Sequence, residues 1–182
     1  PMTVWQSIRH CDSQPIFECG WDRRRGNAKN INQQEFYAYV TSFRKDYDDF
    51  LYTENAMDCL KDILAEADEN NVEIVLFFNP VTVDLQALQH ITEHDKDFYH
   101  VKQEVAAIHP VYDFCWVNQY TVDRQGWFYD ASHYRAVYGD ICRAAMNGKD
   151  NGSARLLTAN NVNQELEQED ILFDNWKKNN IA

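Results

Sequence analysis

Residues 72–78, Val-Glu-Ile-Val-Leu-Phe-Phe, form an almost continuous apolar run that ends at Asn79-Pro80. A strand that is buried on both faces of a parallel sheet has this length and composition. Residues 111–117 form a second run of the same kind. Helical patterns lie before, between and after the two runs, and this alternation predicts an α/β fold. We expect three layers, in which helices flank a parallel sheet.

The helices are predicted from apolar residues that recur three or four positions apart. They cover 31–50, 53–71, 83–107, 134–147 and 158–176. Two strands are too few for an open sheet, which usually has about four to six. We therefore expect either a strand within residues 1–30 or completion of the sheet by sequence outside this chain.

The same pattern predicts the domain organisation. At 182 residues the chain fits one domain of ordinary size. An irregular N-terminal segment covers 1–30, an α/β core covers 31–150, and a helical tail covers 151–182. The stretch from Gly148 to Gly152 is interpreted as the linker between the core and the tail.

The charge distribution argues against one large class of partners. Lys and Arg number 17 and Asp and Glu number 29, which gives a net charge of −12. Residues 1–45 carry +3 and the remainder carries −15. Because an acidic body repels phosphate backbones, we expect no binding to nucleic acid. No segment approaches the roughly 18 apolar residues of a membrane span, so no span is expected.

The five cysteines form no Cys-x-x-Cys pair, which excludes a zinc ribbon and a thioredoxin motif. Cys59, Cys115 and Cys142 lie in apolar patterns and are predicted to be small core residues. Cys11 and Cys19 flank a short loop, where they either pair in an oxidising compartment or stay free. The sequence as given shows no signal peptide.

The motif Asp130-Ala-Ser-His133 is the strongest candidate for catalysis. In a serine hydrolase an imidazole takes the proton of the nucleophile, and a carboxylate holds that imidazole in the required tautomer. Asp130 and His133 are three residues apart at the entry to a predicted helix, so their side chains are able to contact each other. The alternative is structural, because Asp is a favoured N-cap and Asp130 precedes a predicted helix.

Other polar and aromatic residues have weaker functional interpretations. His90 and His94 share a helix face and could bind zinc, but their acidic neighbours are typical of a solvated helix, and no metal is predicted. Asn79 either donates a hydrogen bond at a crevice or ends its strand in an Asn-Pro turn. Trp116 and Trp127 either line a substrate pocket or pack in the core.

The block Phe128–Arg135, followed by Gly139-Asp140-Ile141, resembles the last conserved block of SGNH (GDSL-type) esterases and acyl hydrolases. In that superfamily an Asp-x-x-His pair precedes the final helix. Similarity to one bacterial branch extends over most of residues 30–175, in the segments 36–50, 72–80, 111–114 and 156–162. The resemblance implies an SGNH- or flavodoxin-like sheet of which this chain holds a part.

The resemblance also implies roles for the Asp/His motif. His133 would be the general base and Asp130 its orienting carboxylate, in a serine esterase that needs no cofactor. The implied substrate is an O-acyl ester, with acetyl groups on a carbohydrate as one case, and the implied location is extracytoplasmic. The chain departs from the superfamily because none of its serines follows a strand in a Gly-Asp-Ser-like block: Ser7, Ser13, Ser42, Ser132 and Ser153. It therefore resembles the C-terminal half of such a protein.

Two functions follow from these patterns. One is an SGNH-like ester hydrolase, or the part of one that bears Asp130 and His133. The other is a non-catalytic binding protein on the same fold. Its acidic surface would suit a basic partner protein, and an incomplete sheet would offer an edge strand to that partner. The missing serine block favours the second function, and the Asp/His motif favours the first.

Overall fold

The computed structural model describes residues 32–48, 52–92, 95–149 and 151–180. Within these ranges there are seven helices and three short strands. In chain order they are α1 (Gln33–Asp48), α2 (Glu54–Glu69), β1 (Leu76–Phe78), α3 (Val83–Ile91), α4 (Asp95–Ile108), β2 (Val111–Asp113), α5 (Arg124–Trp127), α6 (Ala136–Met146), β3 (Arg155–Leu157) and α7 (Val162–Asn180). None of these helices is both long and apolar enough to cross a membrane. The predicted irregular segment 1–30 lies outside the described residues.

The three strands form one sheet in the order β1-β2-β3. β1 and β2 are parallel, with Leu76 opposite Val111 and Phe78 opposite Asp113. β3 runs antiparallel to β2, with Leu157 opposite Val111. The α/β prediction and the parallel pairing of the two apolar runs are confirmed. The sheet within the described residues is nevertheless mixed, and β3 has no counterpart in the sequence prediction.

Both predicted strands are shorter in the structure than in the sequence. β1 begins at Leu76, and the preceding Val72 and Val75 are exposed. β2 ends at Asp113, whose Oδ1 accepts a hydrogen bond of 2.9 Å from the N–H of Cys115. A side chain that accepts from the backbone two residues later is an Asx-turn, which offers the backbone an alternative to the sheet ladder.

One face of the sheet packs against α2, α4 and α7. Buried residues of these helices and of β2 and β3 form a single core cluster: Met57, Val105, Ala106, Val111, Leu157, Val162 and Leu166. The opposite face carries Phe77, Tyr112 and Leu156, which are register partners across the three strands. Phe77 and Leu156 are 47% and 46% exposed. Tyr112 between them is half-buried, and its hydroxyl donates a 3.3 Å hydrogen bond to the Met146 carbonyl. We call Phe77 and Leu156 the open sheet face.

Four buried charges meet where β2 and β3 pack on α4 and α7, and we call them the charge cluster. Lys102 Nζ lies 3.0 Å from Asp113 Oδ2 and 2.9 Å from Glu169 Oε2. Arg155 Nη2 lies 2.6 Å from Asp113 Oδ2 and 2.5 Å from Glu169 Oε2. Burial alone would lower the pKa of Lys102, but the two carboxylates outweigh it and raise that pKa. Each buried charge is therefore compensated by opposite ones.

The predicted helix 83–107 is two helices in the structure. α3 ends with Thr92 as its C-cap, and Thr92 Oγ1 donates a 2.9 Å hydrogen bond to the Leu88 carbonyl. α4 has Asp95 and Asp97 in its first turn, where negative charge interacts favourably with the helix dipole. Apolar spacing alone does not reveal this break, because the spacing continues on both sides of it.

Two further boundaries differ from the prediction. α7 begins at Val162, because Asn161 Oδ1 accepts hydrogen bonds from the N–H and Oγ1 of Thr158 and holds this segment in a turn. The segment before the Asp/His motif, in which no helix was predicted, contains the short helix α5. Its N-cap, Asp123, accepts a hydrogen bond of 3.1 Å from the N–H of Gly126.

A cluster of aromatic rings packs around Tyr138 of α6, and we call it the aromatic cluster. The Tyr138 ring stacks on Tyr120 with centroids 5.0 Å apart. It makes edge contacts with Phe128 at 5.6 Å, Tyr134 at 5.9 Å and Trp127 at 6.1 Å. Phe128 lies two residues before the Asp/His motif and Tyr134 directly follows it, so the rings support the segment on both of its sides.

Candidate active site

The Asp/His motif lies in a tight loop, residues 129–133, which we call the site loop. Phe128 and Tyr134 form an isolated antiparallel bridge at its base. Within it, the N–H of Tyr129 donates a hydrogen bond of 2.9 Å to the carbonyl of His133. Because Phe128 and Tyr134 also belong to the aromatic cluster, the base of the loop is fixed by both ring packing and backbone hydrogen bonds.

The middle of the site loop is anchored beside the carboxyl end of β1. The carbonyl of Ala131 accepts hydrogen bonds from the N–H of Thr82 at 2.9 Å and from Thr82 Oγ1 at 3.2 Å. Both residues are fully buried. Ala131 packs in a core cluster with Phe36, Val40 and Leu85. In open α/β sheets, ligands bind at the carboxyl ends of the strands, which is where Thr82 holds this loop.

Asp130 organises the loop that contains it. Its Oδ1 accepts hydrogen bonds from the N–H groups of Ser132 at 2.9 Å and His133 at 2.8 Å. The following helix, α6, begins at Ala136 with Arg135 as its N-cap. The structural alternative, in which Asp130 caps that helix, is therefore wrong. The carboxylate instead shapes the turn that presents His133.

The same carboxylate contacts the imidazole. His133 Nδ1 lies 2.9 Å from Asp130 Oδ1 and 2.8 Å from Oδ2. A carboxylate at this nitrogen favours the tautomer with the proton on Nδ1, which leaves Nε2 able to accept a proton. The side chain of His133 is 39% exposed and that of Asp130 is 22% exposed. The geometry is therefore that of an oriented base with access to solvent.

No described serine is placed as the partner of that base. Ser132 Oγ lies 3.3 Å from His133 Nδ1, which is the nitrogen already engaged by Asp130. Ser42 donates back to a carbonyl of its own helix, and Ser153 is fully buried. Ser7 and Ser13 lie outside the described residues. Within the described part of the chain, the site therefore has a base and its orienting group without a nucleophile.

Three weaker candidates have structural roles in this geometry. Asn79 is exposed, and its Nδ2 donates a 3.3 Å hydrogen bond to the next carbonyl, as in a turn. Trp116 Nε1 donates to the carbonyl of Ser153 at 3.1 Å, and its ring lies under the Arg155 guanidinium at 4.9 Å. Trp127 belongs to the aromatic cluster. Both tryptophans pack among neighbouring side chains, which was the structural alternative for them.

The histidine pair His90 and His94, at which no metal was predicted, has one described member. His90 Nδ1 lies 3.3 Å from Asp95 Oδ2, and its ring stacks on Phe173 with centroids 3.9 Å apart. His94 lies outside the described residues. In the part of the chain that the structure describes, no three metal-ligating side chains come together.

Of the three predicted core cysteines, Cys142 is buried and Cys115 is partly buried. Burial raises the pKa of the Cys115 thiol to about 12, and it does the same for Cys142. Cys59 is exposed, so its prediction as a core residue is wrong. It lies on the outer side of α2, whose helical spacing places Met57 in the core instead. Cys11 and Cys19 lie outside the described residues.

Two residues that support the site were missed by sequence reasoning. Thr82 binds the site loop from the end of β1, and Tyr39 of α1 lies with its hydroxyl 3.2 Å from Ser132 Oγ. No nearby sequence pattern points to either residue, because each contacts a segment about 50 or more residues away along the chain.

Comparison of the chain with protein-family models, with curated proteins and with solved structures finds no match.

Proposed function

We propose that this chain is the part of an SGNH-like ester hydrolase that bears its catalytic His133 and Asp130. The observation that carries the proposal is the contact of His133 Nδ1 with both carboxylate oxygens of Asp130, at 2.9 and 2.8 Å. The position of the site loop beside the end of β1 supports it. So does the resemblance of the surrounding sequence to the last conserved block of that superfamily.

In this proposal His133 Nε2 takes the proton of a serine hydroxyl as its oxygen attacks the acyl carbon. The resulting imidazolium is stabilised by Asp130 through Nδ1–H. The imidazolium then gives the proton to the departing alcohol, which leaves an acyl-enzyme. Water, deprotonated by the same imidazole, hydrolyses that intermediate and restores the serine. The proposed substrate is an O-acyl ester, with acetylated carbohydrate as the class that the resemblance implies.

The proposal requires a nucleophile from outside the described residues, together with a larger sheet. It therefore includes a three-layer parallel sheet, of which β1 and β2 are two strands, and an extracytoplasmic location. The open sheet face supports the third layer, because the all-parallel sheet of the proposal would be covered by helices on both faces. The outer edge of β1 supports it as well, since this strand pairs on one side within the described residues.

The test is intact-mass analysis after treatment with a fluorophosphonate, which labels an activated serine. We expect a single adduct on the full-length protein and its loss in His133→Ala, because the nucleophile is inactive without its base. His109→Ala is the matched control, since His109 Nδ1 contacts the Pro110 carbonyl far from the site loop in sequence. An adduct that persists in His133→Ala, or none on the folded wild type, contradicts the proposal.

A non-catalytic binding protein is the second candidate. The open sheet face favours it, because exposed Phe77 and Leu156 on one face of a sheet are typical of a surface that a partner covers. The net charge of −12 would steer a basic partner protein towards it. Under this function His133→Ala leaves binding intact, whereas Phe77→Asp weakens it, and the two variants thus separate the candidates.

A further inference from the structure

A pocket of about 380 Å³ lies among α1, α3 and the end of α7. Its volume is within the range of roughly 300–1,000 Å³ that is typical of small-molecule sites. We call it the Asp84 pocket, and the residues that decide its chemistry are Tyr37, Val40, Val83, Asp84, Ala87 and Trp176. None of the described residues that line it belongs to the site loop, so what it binds is independent of the proposed hydrolase function.

The floor of the Asp84 pocket is apolar. Val40, Val83 and Ala87 line it, and each of them is buried. Val83 and Ala87 pack with Phe173 of α7 in one core cluster, and Val40 packs with Leu85 in another. The floor is therefore part of the packed core, and it offers a preformed apolar surface to the body of a ligand.

Two aromatic rings line the same pocket. The ring of Tyr37, on α1, is 50% exposed and meets Phe36 edge-on with centroids 5.6 Å apart. The ring of Trp176, on α7, is half-buried and packs against Phe173 at 5.6 Å. The faces of such rings attract cations. Because each ring rests on a buried neighbour, little side-chain entropy is lost when a ligand binds between them.

Of the described residues that line the pocket, Asp84 alone carries a charge. It lies in the first turn of α3, where the helix dipole favours a carboxylate. Burial nevertheless raises the pKa of Asp84, and the positive charge of Arg124 offsets this effect only in part. The Arg124 guanidinium lies over the Phe36 ring, 3.9 Å from its centroid, and no described cation forms an ion pair with Asp84. A cation in the pocket would therefore compensate the buried charge.

The charge of Asp84 and the apolar floor together select the class of ligand. An anion would be repelled by Asp84 and by the net charge of −12. A neutral apolar molecule would cover the carboxylate without compensating its charge, which costs free energy. A divalent metal ion prefers several oxygen ligands, and no three metal-ligating side chains come together among the described residues. An amine on an apolar body satisfies both the carboxylate and the floor.

We propose that the Asp84 pocket binds a small protonated amine. Its ammonium group pairs with the Asp84 carboxylate, and its apolar body lies on the buried floor between the rings of Tyr37 and Trp176. The acidic protein also raises the local concentration of such a cation.

The test is an NMR titration of the folded wild-type protein with 2-phenylethylamine at about pH 7, where the amine is protonated. The indole N–H signal of Trp176 reports binding, and it is identified by its absence in Trp176→Phe. We expect a saturable shift with a Kd of about 1 mM or lower, the range of small fragments. Neutral 2-phenylethanol and anionic 3-phenylpropionate should bind about tenfold more weakly or worse, because neither pairs with the carboxylate.

Three variants locate the site. Asp84→Asn keeps the size of the side chain and should weaken amine binding about tenfold or more. Asp62→Asn is the matched control, because it removes the same charge from an exposed position on α2 and should leave the affinity unchanged. Tyr37→Leu should weaken binding about twofold or more through the loss of the ring face. Circular dichroism shows whether each variant is folded.

An unshifted Trp176 signal at about 10 mM amine overturns the proposal, and so does equal binding of 2-phenylethanol. Unchanged affinity in folded Asp84→Asn overturns it as well, since the amine would then bind without the carboxylate. Equal losses in Asp84→Asn and Asp62→Asn would mean a general attraction of cations to an acidic protein, and would also contradict it. If Asp84→Asn does not fold, the comparison of the three probes on the wild type decides.

Discussion

Neutralising Glu169 is expected to destabilise the fold by about 3 kcal/mol. Its carboxylate contacts Lys102 through both oxygens and Arg155 through one, and the residue is buried. Hydrogen bonds to charged groups contribute about 1.5–3 kcal/mol each, and Glu169→Gln retains one neutral acceptor. The variant leaves two buried cations with Asp113 alone. Breaking a buried pair in this way costs about 3–5 kcal/mol.

The assay is urea unfolding followed by circular dichroism, with the slope of the transition compared between variants. Glu167→Gln is the control, because Glu167 is exposed on the same helix and should change stability by less than about 0.5 kcal/mol. Adding Lys102→Met to Glu169→Gln restores charge balance and should recover part of the loss. A loss below about 1 kcal/mol in Glu169→Gln would refute the reasoning, since it would mean that water reaches the charge cluster.

Two other predictions concern buried side chains. Tyr138→Ala should lower the free energy of unfolding by about 3–5 kcal/mol, because it removes the ring contacts. Tyr138→Phe keeps those contacts and should change the free energy of unfolding by less than about 1 kcal/mol. Equal losses for the two variants in urea unfolding would contradict a stabilising role for the rings. Iodoacetamide at neutral pH should label exposed Cys59 in the native protein and spare Cys115 and Cys142, because burial raises the pKa of both thiols to about 12. Peptide mass mapping reads this out, and native labelling of Cys115 would contradict its burial.

The parallel pairing of β1 and β2 was predictable from their apolar runs, although β1 is an edge strand of this sheet and is only partly buried. β3 was not, and Arg155 is the reason. Its register position in β3 faces the core, where a charged residue disagrees with any apolar pattern. It is tolerated there because Asp113 and Glu169, 42 and 14 residues away in the chain, neutralise it. A local pattern cannot contain that information.

Prediction of the candidate site from local sequence patterns is limited in the same way. The Asp/His motif was recognisable, because its two members are three residues apart and sit in one loop. The alternative role of Asp130 as a helix cap was decided only by the start of α6 at Ala136. Thr82 and Tyr39 reach the site loop through tertiary contacts, so no spacing in the sequence points to them.

The open sheet face also has a consequence for how this chain behaves at high concentration. Two opposing tendencies act on this face. Exposed apolar side chains beside β1, which is an edge strand among the described residues, promote self-association, whereas a net charge of −12 keeps molecules apart. Added salt screens the repulsion and leaves the apolar contact intact, since the Debye length falls from about 30 Å at 0.01 M to about 10 Å at 0.1 M. The brevity of β1, three residues, limits how far such contacts can grow into ordered sheets. Added salt is therefore expected to lower the colloidal stability of the isolated chain.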